Sequence, residues 1–194
     1  MKKKILLVVI ALVLTLALLS ACADNQGTLD TINSLLRKDY SKVKVSVTTA
    51  MSGVELKGEY ILTFNGDVTT IDYWYEELND LSIDGADSFK SKYEGTATVQ
   101  NRVVTSGNQD ALSNVELEFS GLNFKLINFK NAVSKGSVFD ADVVSPGGFL
   151  GNPDFRATNM HVNVVMYENT LVRIKITYTS SNGADVSIVY SFTE

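Results

Sequence analysis

Cysteine, histidine and tryptophan occur once each in this chain of 194 residues, and proline twice. Each shortage closes a class of chemistry. A single thiol forms no disulfide within the chain, so the fold must stand on its core alone. A single histidine cannot build a His-rich zinc site, and it leaves one base at most to activate a serine. Basic residues are scarce too, 17 Lys and Arg against 22 Asp and Glu. An acidic surface repels phosphates, which argues against nucleic acid and against adhesion to anionic headgroups by charge. Gly147, Gly148 and Gly151 in "SPGGFLGN" are not followed by Lys-Ser or Lys-Thr, so they do not make a phosphate loop. No catalytic, metal or cofactor-binding residue is assigned, and the chain is not expected to be an enzyme.

The clearest positive signal lies at the amino end. "MKKK" is followed by "ILLVVIALVLTLALL", in which Thr15 is the one polar residue, and then by Ser20, Ala21 and Cys22. A basic start, a short apolar run and small residues at its end make a secretory signal peptide. The run is short of the about 20 apolar residues a spanning helix needs. Leu19-Ser20-Ala21-Cys22 resembles the lipobox of bacterial lipoproteins. That resemblance implies cleavage between Ala21 and Cys22, a diacylglyceryl group on the Cys22 sulfur and an acylated (palmitate-type) new amino terminus. Two or three acyl chains hold a protein stably at a bilayer where one does not. An uncleaved anchor over residues 5 to 23 and a buried apolar Cys22 are the other readings of the same stretch.

The expected organisation is a signal peptide over 1–21, a lipidated Cys22 with a short tether over 22–27, and one extracytoplasmic domain over 28–194. Loss of Lys2, Lys3 and Lys4 with the signal takes the basic residues from 17 to 14 against 22 acidic ones, a net charge of −8. The domain is placed at the cell membrane, on the cell surface or in the periplasm.

Within that domain, Leu29, Ile32, Leu35 and Leu36 recur at helical spacing behind Thr28, which can cap the helix. Most of the remaining chain alternates with period two. Val43, Val45 and Val47 share a face, as do Val54, Leu56, Tyr60, Leu62 and Phe64, and a hairpin dipeptide Asn65-Gly66 comes next. Met160, Val162, Val164 and Met166 form another such row, succeeded by Val172, Ile174, Ile176 and Tyr178, and by Val186, Ile188, Tyr190 and Phe192. Turns at Glu168-Asn169 and Asn182-Gly183 join these last three strands as a meander. Ser145 and Pro146 start one helical turn, with Phe149 and Leu150 packed inward.

The fold class is therefore α+β, mainly β: a curved antiparallel sheet of about eight to ten strands, half-barrel or clam-like, with one N-terminal helix and a short helical turn near 145–151. "NGDVTTIDYWYEE" from Asn65 echoes "NGADVSIVYSFTE" from Asn182. Either a helix and three strands occur twice, or hairpins simply resemble one another. In outline the domain resembles the LolA-like and LppX-like lipid carriers of the bacterial envelope, which hold acyl chains between a sheet and helices. No motif of that family maps onto individual residues here.

Candidate sites are few. His161 projects from the polar face of its strand, where a solvated histidine is the plain reading. Asp140 and Asp142 share one strand face about 6.5 to 7 Å apart by the strand rise, spaced for acid–base or cation chemistry or simply for solvation. Glu76, Glu77, Asp80, Asp84 and Asp87 form an acidic loop without the EF-hand ligand order, either solvated or calcium-binding. Tyr73 and Tyr75 share the face of Ile71, while Trp74 lies on the other with Asp72 and Glu76. These three aromatics are the candidate ligand contacts, for a sugar, a peptide ring or an apolar molecule.

The expected function is a lipid-anchored binding module of the envelope that holds an apolar ligand or docks an envelope protein. A structural or adhesive surface lipoprotein, and a cell-wall hydrolase working through Asp140 and Asp142, are the alternatives.

Overall fold

The computed structural model describes residues 25–79, 89–101, 103–107, 119 and 121–193. The expected signal segment, Cys22, most of the strand expected at "NVELEFSG", and the acidic residues Asp80, Asp84 and Asp87 lie outside the described residues.

Helix α1 covers 25–35. Ten strands follow: β1 Lys42–Met51, β2 Val54–Asn65, β3 Val68–Asn79, β4 Phe89–Gln100, β5 Val103–Ser106, β6 Phe129–Lys135, β7 Val138–Val143, β8 Ala157–Tyr167, β9 Thr170–Ser180 and β10 Asp185–Thr193. A 3-10 turn at Leu126–Asn128 precedes β6, and the short helix α2, Pro146–Leu150, precedes β8. The strands form one open sheet in the order β5-β4-β3-β2-β1-β10-β9-β8-β7-β6. Two five-strand meanders thus meet at the β1–β10 pair, and every pairing is antiparallel. The expected mainly-β fold with its N-terminal helix and short turn near 146 is what the chain adopts.

Strict alternation gives the sheet one buried face. At mid-sheet a single row crosses eight strands through direct register partners: Gly95, Tyr73, Tyr60, Val45, Tyr190, Ile174, Val164 and Phe139. Seven of these eight are buried. Helix α1 lies on this face with Leu29, Ile32, Leu35 and Leu36 all buried, each contributing roughly 1.5–3 kcal/mol by leaving water. Asn33 fixes it to the loop before the 3-10 turn, donating from Nδ2 to the Phe124 carbonyl at 2.8 Å and accepting from the Phe124 N–H at 3.2 Å.

Several expectations are corrected. Residues 25–27, read as tether, are helical, and Thr28 sits inside α1 rather than at its cap. Asn25 is docked on the edge strand: its Nδ2 donates to the Ala132 carbonyl at 3.0 Å, and its Oδ1 accepts from the Ser134 hydroxyl at 2.8 Å. Polar composition suggests a linker because sequence alone does not reveal an edge strand offering partners.

In β9 the inward residues are Leu171, Ile174 and Ile176, whereas Val172 is exposed. A register shift between Val165 and Met166 breaks the parity, moving the inward position from 172 to 171.

The first hairpin dipeptide is displaced by one, because Asn65 pairs with Val68 and the turn is Gly66–Asp67, with Gly66 at φ 59°. At Glu168–Asn169 both residues take positive φ, 45° and 62°, as a two-residue hairpin of this hand requires. The internal echo does not correspond to a symmetry of the sheet. Its two copies end in β3 and β10, and β10 is a member of the central pair while β3 lies two strands outside it.

Candidate functional site

The inner face is filled unevenly. Beneath β6 and β7, Phe124 sits at the centre of a group of rings, with centroids 5.7 Å from Phe129, 6.2 Å from Phe139 and 5.2 Å from Phe149. Phe149 is fully buried and reaches this group from α2, as expected of the plug at 149–150. At the Lys42 end of β1, Tyr40, Phe119 and Phe192 close the sheet, with Tyr40 and Phe192 4.8 Å apart.

At the opposite end of the same strands a cavity of about 720 Å³ lies on the inner face. Val54 and Leu56 line it from β2, Tyr75 and Glu77 from β3, Tyr93 from β4 and Tyr178 from β9, above a floor formed by Tyr60. Tyr93 and Met51 at its rim are 48% and 41% exposed, so the mouth is open to solvent.

Its tyrosines are ordered by the register. Tyr60 opposes Tyr73 and Tyr75 opposes Tyr93 across neighbouring strands. Their rings run nearly parallel, with centroids 6.2 Å apart for Tyr60–Tyr73, 6.5 Å for Tyr73–Tyr75 and 4.8 Å for Tyr75–Tyr93. Two glycines make room for them. A Cβ at Gly95 would lie 2.7 Å from the Tyr73 hydroxyl, and one at Gly58 3.1 Å from the Tyr60 ring. Burial, together with the nearby Tyr75 and Tyr73, pushes the Tyr60 phenol up to about 12. Negative charge on this floor is disfavoured.

The sequence-predicted contacts therefore separate. Tyr73 is buried in the ring series and Tyr75 lines the cavity. Trp74 is on the outer face, half-buried, beside a smaller hollow of about 290 Å³ that Glu59, Asp72 and Glu94 also line. Tyr93, Tyr178 and Glu77 are not among the contacts expected from sequence. Tyr178 is legible as inward from its strand, but no local signal reveals which strand end remains unfilled.

On the outer face the structure joins His161 to both suspected carboxylates. Nε2 lies 3.2 Å from Asp140 and Nδ1 3.1 Å from Asp142. In sequence these residues read as separate solvated groups, but β7–β8 register sets Asp142 opposite His161. Both ring nitrogens face carboxylates, which favours the imidazolium, donating at each end.

Partial burial opposes that charge, yet the hydrogen bonds to Asp142 and Asp140 and their negative charges outweigh it and raise the His161 pKa. Asp142 is held below its ordinary value by hydrogen bonds from His161 and Asn131. Asn163 donates to Asp140 at 2.9 Å, and Arg173 to Asn163 at 3.1 Å. An imidazolium has no lone pair with which to accept a proton, so in this state the cluster clamps β7 to β8. Among the described residues, no group of three or more His, Cys, Asp or Glu is arranged to hold a metal ion, and no helix is long and apolar enough to cross a membrane.

No family model matches the chain, and no curated protein matches it. Among solved structures it is similar to a redesigned β-barrel, mFAP1, bound to DFHBI. That match has 12% identity and a TM-score of 0.23, and covers 82% of this chain and 96% of that one. A second redesigned β-barrel matches at 13% identity and a TM-score of 0.22, over 84% and 95% of the two chains.

Proposed function

We propose that this protein is a non-enzymatic binding module, lipid-anchored through Cys22 on the extracytoplasmic side of a bacterial membrane, that holds an apolar ligand in the tyrosine-lined cavity. One observation carries the reading: about 720 Å³ of open space on the inner face of the sheet. That volume falls in the range of small-molecule sites, and most of its lining residues are apolar or aromatic, with Thr49, Glu77, Ser180, Ser181 and Asn182 as the polar ones. The anchor rests on the leader and on Leu19-Ser20-Ala21-Cys22.

A purely structural or adhesive protein has no need of an unfilled inner face. The hydrolase alternative is weakened by the engagement of both Asp140 and Asp142 with His161.

Two measurements test the two parts. The intact mass of protein from its native membrane shows a missing leader and an added lipid; a full leader with a bare thiol contradicts the anchor. The full chain in nanodiscs binds the neutral fluorescent probe N-phenyl-1-naphthylamine above the lipid background, and Leu56→Arg, which places a charged chain in the cavity, abolishes the excess. Equal signals from both proteins, each melting cooperatively, contradict the cavity as the site.

A further inference from the structure

The amino end of the folded domain is pinned to one edge of the sheet. Asn25 bonds to the Ala132 carbonyl and the Ser134 hydroxyl, and both belong to β6, the last strand in the sheet order. Only Ala23 and Asp24 separate Asn25 from Cys22. At 3.8 Å per Cα step, the two Cα atoms lie within about 11 Å of each other. A lipid on the Cys22 sulfur therefore brings a bilayer surface to the β6 edge.

The register shows which part of the sheet that is. Ser134 opposes Phe139, and the line of direct partners continues through Val164, Ile174 and Tyr190 to Val45. Met51, on the cavity rim, is six residues farther along β1, about 20 Å by the strand rise. It also lies five strands across the sheet from β6. The attachment point and the cavity mouth thus occupy different corners of the molecule.

The corner beside the attachment point exposes apolar side chains. Val133 and Val138, on either side of the β6–β7 turn, are 57% and 36% exposed, and Tyr167 at the end of β8 is 63% exposed. Val138 opposes Val165, and the Met166 N–H donates to the Ser137 carbonyl at 2.8 Å, which holds the end of β8 against this turn. Lys135 in the one turn and Glu168 in the next are exposed and opposite in charge. Single exposed apolar residues are ordinary, but a group of them beside a lipid attachment point has the composition of an interfacial contact. Tyrosine suits that depth, with its ring among acyl chains and its hydroxyl among headgroups, and a lysine stem can lie along the boundary with its amine in water.

Resting on the anchor reading above, we propose that the Val133–Val138–Tyr167 corner lies on the bilayer that holds Cys22, so that the domain has a fixed orientation and its cavity opens away from that membrane. The occupant of the corner is the lipid surface itself. The balanced Lys135 and Glu168 make the contact independent of anionic headgroups, in keeping with the acidic chain. A ligand then enters the cavity from the aqueous side, and not from the leaflet below.

The test uses the full chain with Val133→Cys, Tyr167→Cys or Met51→Cys, all exposed positions, extracted from its native membrane. Acylation of Cys22 leaves one free thiol in each, which takes one thiol-reactive nitrobenzoxadiazole label. In phosphatidylcholine nanodiscs containing a doxyl-labelled lipid, the labels at 133 and 167 are expected to be quenched about threefold more than the label at 51. Val138→Asp is expected to lower the quenching at 167 about twofold, because a carboxylate resists entry to the interface. Equal quenching at all three sites, or none at 133 and 167 in singly labelled lipidated protein, overturns the inference and leaves the anchor standing. Quenching at 167 undiminished by Val138→Asp assigns the approach to the tether alone and overturns the role of the corner. A label at 133 shielded from aqueous iodide yet beyond reach of the doxyl lipid shows a protein covering the corner, and also overturns it. Two labels per chain reveal a bare Cys22 thiol and contradict the anchor reading itself.

Discussion

The two flanks of the inner face are built from the same alternating strands and end differently. Under β6 and β7 the aromatic rings are phenylalanines, Phe129, Phe139 and Phe149 around Phe124, which carry no polar side-chain atom and pack mostly edge to face. Under β2, β3 and β4 they are tyrosines, laid nearly parallel over Gly58 and Gly95 and leading outward to a wet rim at Tyr93. A phenylalanine core can close on itself, because dispersion and burial are its only demands. A tyrosine needs somewhere to put its hydroxyl, so a row of them suits a boundary between packed interior and an occupied or solvated space. One flank holds the fold together, and the other is the one we propose to receive a ligand.

Substitutions can break this contrast. The largest expected effect is Phe124→Ala, which opens a void at the centre of the filled flank and costs about 3–5 kcal/mol in urea denaturation, with probe binding retained in the folded fraction. Gly95→Ala comes next. Its methyl group would lie 2.7 Å from the Tyr73 hydroxyl, so the ring must move, at about 1–3 kcal/mol, and probe affinity changes because Tyr73 supports Tyr75. Tyr75→Ala enlarges a space already open to water and costs about 1–2 kcal/mol, yet it weakens probe binding far more than Phe124→Ala does. If Tyr75→Ala proved as destabilising as Phe124→Ala, with binding intact, the division into a structural and a functional flank would fail.

The smallest effect sharpens the outer face. His161 has a raised pKa in the folded chain, so its contribution to stability is complete below the ordinary value of 6.5 and is lost as pH rises through the raised one. Asp142 is shifted the other way. Its contribution is present above the ordinary value of 3.8 and is lost as pH falls through the lowered one. Melting temperature is therefore expected to show a shallow plateau between those ordinary values, flattened in His161→Gln. Because the groups are more than a third exposed, solvent screening is expected to keep the effect small. The lone histidine gives one ring-proton NMR titration, whose midpoint should fall in Asp142→Asn; an unmoved midpoint would contradict the clamp.

How much of this is legible in the sequence depends on how local each signal is. Period-two alternation in "KVKVSVTT" or "DVSIVYSF" is written residue by residue, so strands and inward faces are readable, as is the helix stripe from Leu29 to Leu36. Val172 is misplaced by that reading because a bulge breaks parity without a residue that announces it. Asn25 reads as linker because its partners lie more than a hundred residues away in β6. Distance along the chain likewise hides the Asp140–His161–Asp142 cluster, whose members are each conspicuous in the sequence but are joined only by strand register. The cavity is partly visible: Tyr75 stands out as a ligand contact, whereas Tyr93 and Glu77 acquire meaning only once the strand order shows which end of the sheet lacks a plug.

The most direct measurement is a crystal structure of the protein grown with N-phenyl-1-naphthylamine. The account predicts density for the probe among Tyr75, Tyr93 and Tyr178. A cavity without probe, alongside probe bound elsewhere on the molecule, would contradict it.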